Sequence, residues 1–260
     1  MDLTQFAIPG LPQAYYIPNF VTEDEEKYLI RKITESPLPR WRHLQNRRLQ
    51  ILGGEVTSKN VLLPQAFPSY ITEYPDIIGR LRPTGAFAAS PHKQPNHIIL
   101  NEYRAGQGIM AHEDGPSYYP VVATLSLGSH AVFHYYRYTS ISVGADEGLT
   151  SGKGGKGRSI NTTPVMSVLL EPRSLVITTQ ELYATHLHGI DDVHVDTFPA
   201  TGRDPETLSS TGIANIELIS DEVMKDVVRG GGSLGRETRY SLTCRDIERV
   251  AGHGLGLGRR

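Results

Sequence analysis

Short apolar runs separated by turn residues fill the last two thirds of the chain, whereas helical spacing is confined to the first third. The runs are His97 to Tyr103, Val121 to Leu127, Ala131 to Tyr138, Val165 to Leu170, Ser174 to Thr178 and Arg239 to Thr243. Short strands at such intervals are typical of a β-sandwich or β-barrel. The pattern therefore predicts a mainly β (α+β) core with N-terminal helices packed on one side.

Helical signals occur twice before residue 95. The segment Thr22 to Glu25 has the spacing of a capping box, in which a Thr and a Glu side chain cap backbone N–H groups reciprocally. It predicts a first helix of about a dozen residues, ending before Pro37. The spacing also predicts a second helix over Tyr70 to Arg82. Between them, Pro37 to Arg48 contains four arginines, the only tryptophan and no acid, which indicates a solvated basic loop.

Two segments interrupt the strand pattern and indicate insertions. One is rich in Gly, Ser and Lys, and the other ends in the linker-like run RGGGSLGR. Such compositions bury too little apolar surface to fix one conformation. We therefore expect an N-terminal helical region over 1–95, a β core over 96–250 with insertions at 140–163 and 197–236, and a flexible tail over 251–260.

Composition narrows the class of protein. The chain has 260 residues, enough for one core, and no stretch approaches the ~18 apolar residues of a membrane-spanning helix. We expect no membrane insertion and no secretion. The single cysteine, Cys244, excludes an intrachain disulfide and a Cys-based metal framework, which favours a reducing compartment. Because the net charge is -2, any contact with nucleic acid must rest on a local basic patch.

A His-x-Asp pair is the first candidate for metal chemistry. His112 and Asp114 are two residues apart after a predicted strand, and side chains at this spacing share one face of a strand. With a distant histidine they form the facial triad of non-haem Fe(II) oxygenases. A second pair, His194 and Asp196, is followed only by His253 in the glycine-rich tail. The first pair is therefore preferred.

The third ligand lies in the sequence ATHLHGI. His188 follows two predicted strands and precedes a glycine, so a returning strand would bring it beside the first pair. His186, two residues earlier, is the alternative. We prefer His188.

The strand that begins at Arg239 has polar residues at every second position, which places these on one face: Arg239, Ser241, Thr243 and Arg245. A buried face with two arginines needs an anion, and the planar guanidinium group pairs well with carboxylates. The two Cα atoms would lie roughly 20 Å apart, a gap that both side chains and an extended dicarboxylate such as 2-oxoglutarate can span. The alternative is an edge strand with solvent-exposed arginines. Asn101 and Tyr103, on an earlier strand, are further candidates to orient the carboxylates.

In this order the motifs resemble the AlkB family of Fe(II)- and 2-oxoglutarate-dependent dioxygenases, whose pattern is N-x-Y-x-x-G, H-x-D, a distal H and R-x-[NS]-x-T-x-R. The matching residues are Asn101, Tyr103, Gly106, His112, Asp114, His188, Arg239, Ser241, Thr243 and Arg245. The run GIMAHEDGPSYYPVVATLSLGSH is similar to one eukaryotic branch of the family, the sixth homologue. The resemblance implies a double-stranded β-helix (jelly roll), with iron held by His112, Asp114 and His188. It implies 2-oxoglutarate held by Asn101, Tyr103, Arg239, Ser241 and Arg245.

The resemblance also implies the reaction, which is O₂-dependent oxidative demethylation of N-alkylated bases in nucleic acid. A monomer in the nucleus and cytoplasm is expected, with the N-terminal region as a lid that grips a flipped or single-stranded base. The candidates for substrate contact are Trp41, Arg47, Arg48, Tyr118 and Tyr119, and for the aromatic ones a packing role is the alternative. Ser241 stands where many members have Asn, and the insertions leave substrate choice open. An oxygenase of proteins or small molecules, or a catalytically quiet nucleic-acid-binding module, are the alternative functions.

Overall fold

The computed structural model describes residues 1–11, 13–139, 159–199 and 212–252. The strands in this part of the chain are β1 (Ala14–Ile17), β2 (Arg42–Leu44), β3 (Arg47–Leu52), β4 (Gly54–Val56), β5 (Leu62–Pro64), β6 (His97–Tyr103), β7 (Ile109–His112), β8 (Tyr118–Leu127), β9 (Ala131–Tyr136), β10 (Met166–Leu170), β11 (Leu175–Thr179), β12 (Leu187–Ile190), β13 (Val195–Thr197), β14 (Ser233–Gly235) and β15 (Arg239–Ile247). The α-helices are α1 (Glu23–Thr34), α2 (Ser69–Thr72), α3 (Ile77–Leu81), α4 (Gln180–Thr185) and α5 (Glu222–Arg229).

Two antiparallel sheets face each other and enclose a cavity. The large sheet has the strand order β1-β11-β8-β15-β6-β3-β2, and the small sheet has the order β10-β9-β12-β7. Both combine strands that are distant in the sequence, as in the two Greek keys of a jelly roll. The β-rich core predicted from the apolar runs and the jelly roll implied by the resemblance are both confirmed.

Side-chain alternation divides the large sheet into an apolar and a polar face. On β15, Tyr240, Leu242 and Cys244 belong to the main core, which also contains Leu29 and Ile33 of α1. Residues at the intervening positions of β15 line the cavity between the sheets. The N-terminal helices therefore cover one face of the sheet and leave the other for chemistry.

The capping box at the start of α1 is present as predicted. The Glu25 N–H donates to the Thr22 hydroxyl at 3.3 Å, and the Thr22 N–H donates to the Glu25 carboxylate at 2.8 Å. Glu25 also forms an ion pair with Arg80 of α3. The cap thus fixes both the first turn of the helix and its contact with α3.

The single helix predicted over Tyr70 to Arg82 is wrong. The segment forms α2 and α3, which are separated at Pro75. Proline has no N–H to donate and disfavours helical geometry at the residue before it. Asp76 then caps α3 by accepting a hydrogen bond from the Gly79 N–H at 2.8 Å.

The segment Pro37 to Arg48 is largely exposed, as predicted, but the prediction of a loop is wrong. The strands β2 and β3 pair in an antiparallel hairpin, here called the basic hairpin (Arg42–Leu52). β3 pairs in turn with β6, and β1 pairs with β11. The first 95 residues therefore supply strands at both edges of the large sheet, in addition to the predicted helices.

The predicted insertions lie partly outside the described residues, and the tail does so beyond residue 252. In the described part of the second insertion, Ile213, Ile219 and Val228 pack with Val132 and Leu169. This cluster covers the outer side of the small sheet. None of the helices in the described ranges has the length and apolar character needed to cross a membrane.

Replacing the capping threonine tests the first helix. Thr22→Ala removes the acceptor for the Glu25 N–H, and we expect the free energy of unfolding to fall by about 1 kcal/mol. Thr34→Ala is the control, because the Thr34 hydroxyl only donates to carbonyls of its own helix, those of Ile30 and Arg31. Urea denaturation measures both, and an equal effect of the two changes would contradict the capping role.

Candidate active site

Three metal-ligating side chains meet in the cavity. His112, Asp114 and His188 each offer one ligand atom within 4.8 Å of the others. The register explains the meeting, since His188 on β12 lies directly opposite His112 on β7. Asp114 follows β7 by two residues. Two imidazoles and one carboxylate are the donor set of a facial triad.

The two histidines are held in the form that binds a metal. The Nδ1 of His112 is 2.8 Å from the Met110 carbonyl oxygen. Because a carbonyl can only accept, this nitrogen carries the proton and Nε2 keeps its lone pair. Burial lowers the pKa of His112, and it lowers that of His188 to about 4. The Phe133 ring stacks on His188 at 5.2 Å and supports its orientation.

Asp114 is a buried carboxylate, and only one of its two oxygen atoms has a hydrogen-bond partner. Its Oδ1 pairs with Arg245 and lies 3.8 Å from the Nε2 of His188. Burial favours the neutral acid, but Arg245 and then His188 outweigh it and lower the pKa of Asp114. Its Oδ2 is buried without a hydrogen-bond partner. An ionised oxygen without a partner, beside two neutral imidazoles, fits a divalent cation.

The cosubstrate candidates form rows across the polar face of the large sheet. Residues directly opposite each other in antiparallel strands share a face. Tyr103 lies opposite Arg239, and Asn101 lies opposite Ser241. All five candidates line the same cavity as the three metal ligands. They are here called the cosubstrate wall: Asn101, Tyr103, Arg239, Ser241 and Arg245.

Arg239 lies at one end of the cosubstrate wall and is buried. Burial lowers the pKa of its guanidinium group to about 10, which leaves it charged at neutral pH. One nitrogen donates to the Ser126 hydroxyl at 2.8 Å, and Nε has no partner. The structure gives no carboxylate to balance this charge among the described residues. Arg239 therefore fits the free carboxylate end of a dicarboxylate.

Arg245 differs from Arg239 because it already holds an anion. Its Nη2 donates to Asp114, while its Nε and Nη1 are buried without partners. Burial acts to lower its pKa, but the Asp114 carboxylate reverses this and raises the pKa. Arg245 is therefore shared with a candidate metal ligand, and the expectation that both arginines bind the cosubstrate stays a prediction.

The alternative metal ligands, His186 and Asp196, form hydrogen bonds with other protein groups. The Nε2 of His186 accepts from Arg137 at 2.7 Å, and its Nδ1 contacts the Thr185 hydroxyl at 2.9 Å. In the second His-x-Asp pair, the carboxylate of Asp196 accepts from Arg236 at 2.6 and 2.7 Å. The structure thus brings His188 to the candidate metal site and leaves His186 and Asp196 in structural contacts.

Two substrate candidates, Trp41 and Arg48, lie on the face of the large sheet that points away from the cavity. Arg48 is opposite Glu102 in the register and forms two hydrogen bonds with its carboxylate, at 2.6 and 2.8 Å. The Arg48 guanidinium also covers the Trp41 ring at 4.2 Å. Trp41 is only 6% exposed and belongs to the main core. The structure therefore places Trp41 in the packing role that was the alternative, and its stacking on a base stays a prediction.

The two tyrosines point in opposite directions, as neighbours on a strand must. Tyr118 lies beside the site, with the Arg245 guanidinium 4.9 Å from its ring centroid. Tyr119 packs against the main core. Arg47 lies at the cavity edge, where its Nε donates to the Asn101 amide oxygen at 3.1 Å. Of the five substrate candidates, the structure therefore places Arg47 and Tyr118 next to the site.

Some residues at the site have no place in the family motif. Ser126 binds Arg239, and Tyr183 of α4 is 3.4 Å from the Gly115 carbonyl next to Asp114. The period-two pattern of Thr124 and Ser126 within β8 was the available signal for the first. Tyr183 lies in a helix that no pattern predicted.

These features together define an Fe(II)- and 2-oxoglutarate-dependent oxygenase, and comparison with known proteins agrees. The sequence profile of the 2OG-Fe(II) oxygenase superfamily matches residues 13–245. The chain belongs to this superfamily and, within it, to the AlkB family, since it is 33% identical over 261 residues to a zebrafish (Danio rerio) protein named "Probable RNA/DNA demethylase ALKBH6". That match covers 100% of this chain and 97% of the relative.

Two other similarities are more limited. An uncharacterized protein, L905, of Acanthamoeba polyphaga mimivirus is 34% identical over 125 residues, which is 46% of this chain and 55% of that protein. The solved structure of OsALKBH1 has a TM-score of 0.51 and 14% identity, with 92% of this chain and 100% of that chain covered. The latter supports the fold.

The cofactors of the superfamily fit the residues present. Fe(II) would be held by His112, Asp114 and His188, which retain two imidazole lone pairs and a carboxylate oxygen without a partner. 2-Oxoglutarate would bring two negative charges to a cavity that contains two buried arginines. O₂ is the other cosubstrate. The unpartnered Nε atoms of Arg239 and Arg245 are donors for carboxylate oxygens.

Removing one imidazole tests the metal assignment. His188→Ala should abolish Mn(II) binding and iron-dependent succinate formation, since a facial triad cannot hold the ion with one ligand missing. His186→Ala should retain both. Isothermal titration with Mn(II) and chromatography of succinate measure the two effects, and the reverse outcome would place the ligand at His186.

Neutralising Arg239 tests the cosubstrate assignment. Arg239→Gln leaves one carboxylate of 2-oxoglutarate without its charged partner, and we expect affinity to fall on the order of 10- to 150-fold. The measurement is titration of 2-oxoglutarate in the presence of Mn(II). Arg82→Gln is the control, because Arg82 is bonded to Gln94 at 2.6 Å on the surface. Unchanged affinity in Arg239→Gln would contradict the assignment.

Proposed function

We propose that this oxygenase oxidatively demethylates N-alkylated bases in nucleic acid. The observation that carries the proposal is the alignment with a protein named as a probable RNA/DNA demethylase, which spans the whole chain. It therefore includes the basic hairpin as well as the jelly roll. The hairpin is an addition at the edge of the sheet that bears the cosubstrate residues.

Within this reaction, bound iron with 2-oxoglutarate and O₂ supplies the oxidation, in which 2-oxoglutarate is converted to succinate and CO₂ and an N-methyl group is hydroxylated. The hydroxymethyl group then leaves the base as formaldehyde. His112, Asp114 and His188 would hold the metal between the sheets, and Arg239 would bind the remote carboxylate of 2-oxoglutarate. Arg245 keeps Asp114 ionised through their ion pair. The protein thus provides charge balance and orientation.

The position of the basic hairpin supports a role at the mouth of the cavity. Its turn links the two sheets, because Arg47 contacts Asn101 of β6 and Asn46 contacts Asp192, which follows β12. The Asn46 amide donates to the Asp192 carboxylate at 2.8 Å. A base that enters beside His112 would pass this turn.

Only part of the basic run is available for phosphate groups. Arg48 pairs with Glu102, and Arg42 pairs with Glu55. Arg47 forms no ion pair with any carboxylate in the described parts of the chain, and it bonds to a neutral amide instead. Arg47 is therefore the side chain of the hairpin best suited to a phosphate at the cavity mouth. The basic residues of the insertion rich in Gly, Ser and Lys, Lys153, Lys156 and Arg158, are further candidates for phosphate contact and lie outside the described residues.

Product analysis tests the proposed function. The protein is incubated with Fe(II), 2-oxoglutarate and pools of N-methylated DNA, RNA and peptides, and mass spectrometry follows loss of the methyl group together with formaldehyde. We expect equimolar formaldehyde and demethylated base from a nucleic-acid pool. Succinate formation with turnover only of the peptide pool would support the protein-oxygenase alternative. Binding of oligonucleotide without succinate would support the quiet binding module.

Salt dependence of oligonucleotide binding tests the role of Arg47. Each phosphate contact with a single strand contributes about 0.7 to the slope of log affinity against log salt, so Arg47→Gln should lower the slope by about that amount. Arg48→Gln is the matched control on the same strand and should leave the slope unchanged, since Arg48 already pairs with Glu102. Fluorescence anisotropy between low and physiological salt gives both values. Equal slopes for Arg47→Gln and the unmodified protein would contradict the phosphate contact.

A further inference from the structure

The Asn101 side chain is held at both of its ends. Asn101 is 7% exposed, and its amide oxygen accepts from the Nε of Arg47 at 3.1 Å. Its amide nitrogen points to the Ser241 hydroxyl at 3.4 Å, a long contact. Asn101 and Ser241 both line the cavity, whereas Arg47 reaches it from the basic hairpin. One cavity residue is therefore contacted by an element outside the jelly roll.

The sheet register makes this contact a feature of the fold. Leu49 of β3 lies directly opposite Asn101 of β6. Arg47 is two residues before Leu49 and shares its face, so its side chain is the diagonal neighbour of Asn101. Diagonal neighbours are about 7 to 8 Å apart at Cα, a distance that an arginine spans readily. Any arginine at this position of β3 can reach the amide.

An asparagine amide has two orientations that differ little in shape but exchange a donor for an acceptor. A carboxylate accepts hydrogen bonds, so only the orientation with the nitrogen toward the cavity binds it. Arginine has donors and no acceptor, and it can therefore contact only the amide oxygen. With the oxygen held by Arg47, the nitrogen must face Ser241 and the cavity.

We propose that Arg47 is a positioning residue for 2-oxoglutarate, because it fixes the Asn101 amide with its donor toward the cosubstrate. The hairpin thus contributes to cosubstrate binding without touching the cosubstrate. This role depends on membership of the oxygenase superfamily and is independent of the nucleic-acid substrate.

The surroundings of Arg47 favour this role. Its neighbours Arg42 and Arg48 each pair with a carboxylate, whereas Arg47, within the described ranges, has a hydrogen bond to the amide and no ion pair. Burial raises the pKa of Tyr103, which lines the cavity. The positive charge of Arg47 acts in the opposite direction and lowers this pKa by a smaller amount. Arg47 is thus directed at the cosubstrate wall.

A double-mutant cycle tests the proposal without nucleic acid. The affinity for 2-oxoglutarate is measured by titration in the presence of Mn(II) for the unmodified protein, Arg47→Gln, Asn101→Ala and the double variant. We expect Arg47→Gln to weaken binding roughly five- to tenfold. In the Asn101→Ala background the same change should weaken it less than twofold, because no amide remains to be oriented.

The controls separate orientation from simple charge attraction and from misfolding. Arg42→Gln removes the same charge from the same hairpin, and we expect unchanged affinity because Arg42 pairs with Glu55. Arg47→Lys keeps a charged donor and should restore part of the affinity. An equal loss in both backgrounds would overturn the proposal in favour of charge attraction, and unchanged affinity in Arg47→Gln would overturn it outright. If Arg47→Gln does not fold by circular dichroism, Arg47→Met, which has no donor, replaces it in the cycle, with the same two overturning results.

Discussion

The ion pair between Asp114 and Arg245 is the interaction on which the site depends. A carboxylate enclosed between two sheets would become neutral, and so a poor metal ligand, without a nearby cation. Arg245 supplies that cation from the strand at the centre of the large sheet, and the pKa of Asp114 falls despite burial. The two histidines remain neutral because burial lowers their pKa. Charge and lone pairs are therefore ready before a metal binds.

The second constraint is the register of the large sheet, which serves packing and chemistry at once. Alternate residues of β15 either enter the main core or line the cavity. A slip of one residue would move Arg239 and Arg245 into the apolar core and Leu242 into the cavity. The pairing of β15 with β6 and of β6 with β3 also sets which residues of the hairpin reach the cosubstrate wall. Stability of the fold and geometry of the site thus depend on the same hydrogen-bond ladder.

The metal and cosubstrate residues could be predicted from the sequence because their motifs are local and their strands alternate strongly. The capping box of α1 was visible for the same reason. The basic hairpin could not be predicted, since β2 and β3 are short and mostly polar. Composition also does not reveal which alternate residues of a strand face the core when the position of the preceding turn is unknown; this choice is here called the parity of the strand. That parity decides that Trp41 faces the core and that Arg47, not Arg48, faces the cavity. The broken helix around Pro75 shows that proline outweighs apolar spacing.

A crystal structure grown without oxygen in the presence of Mn(II) and 2-oxoglutarate tests the assignment of the cavity most directly. We expect one ion bound by His112, Asp114 and His188, with one carboxylate of 2-oxoglutarate on the ion and the other on Arg239. An ion at His186 or at Asp196, or 2-oxoglutarate outside the cavity between the two sheets, would contradict the assignment.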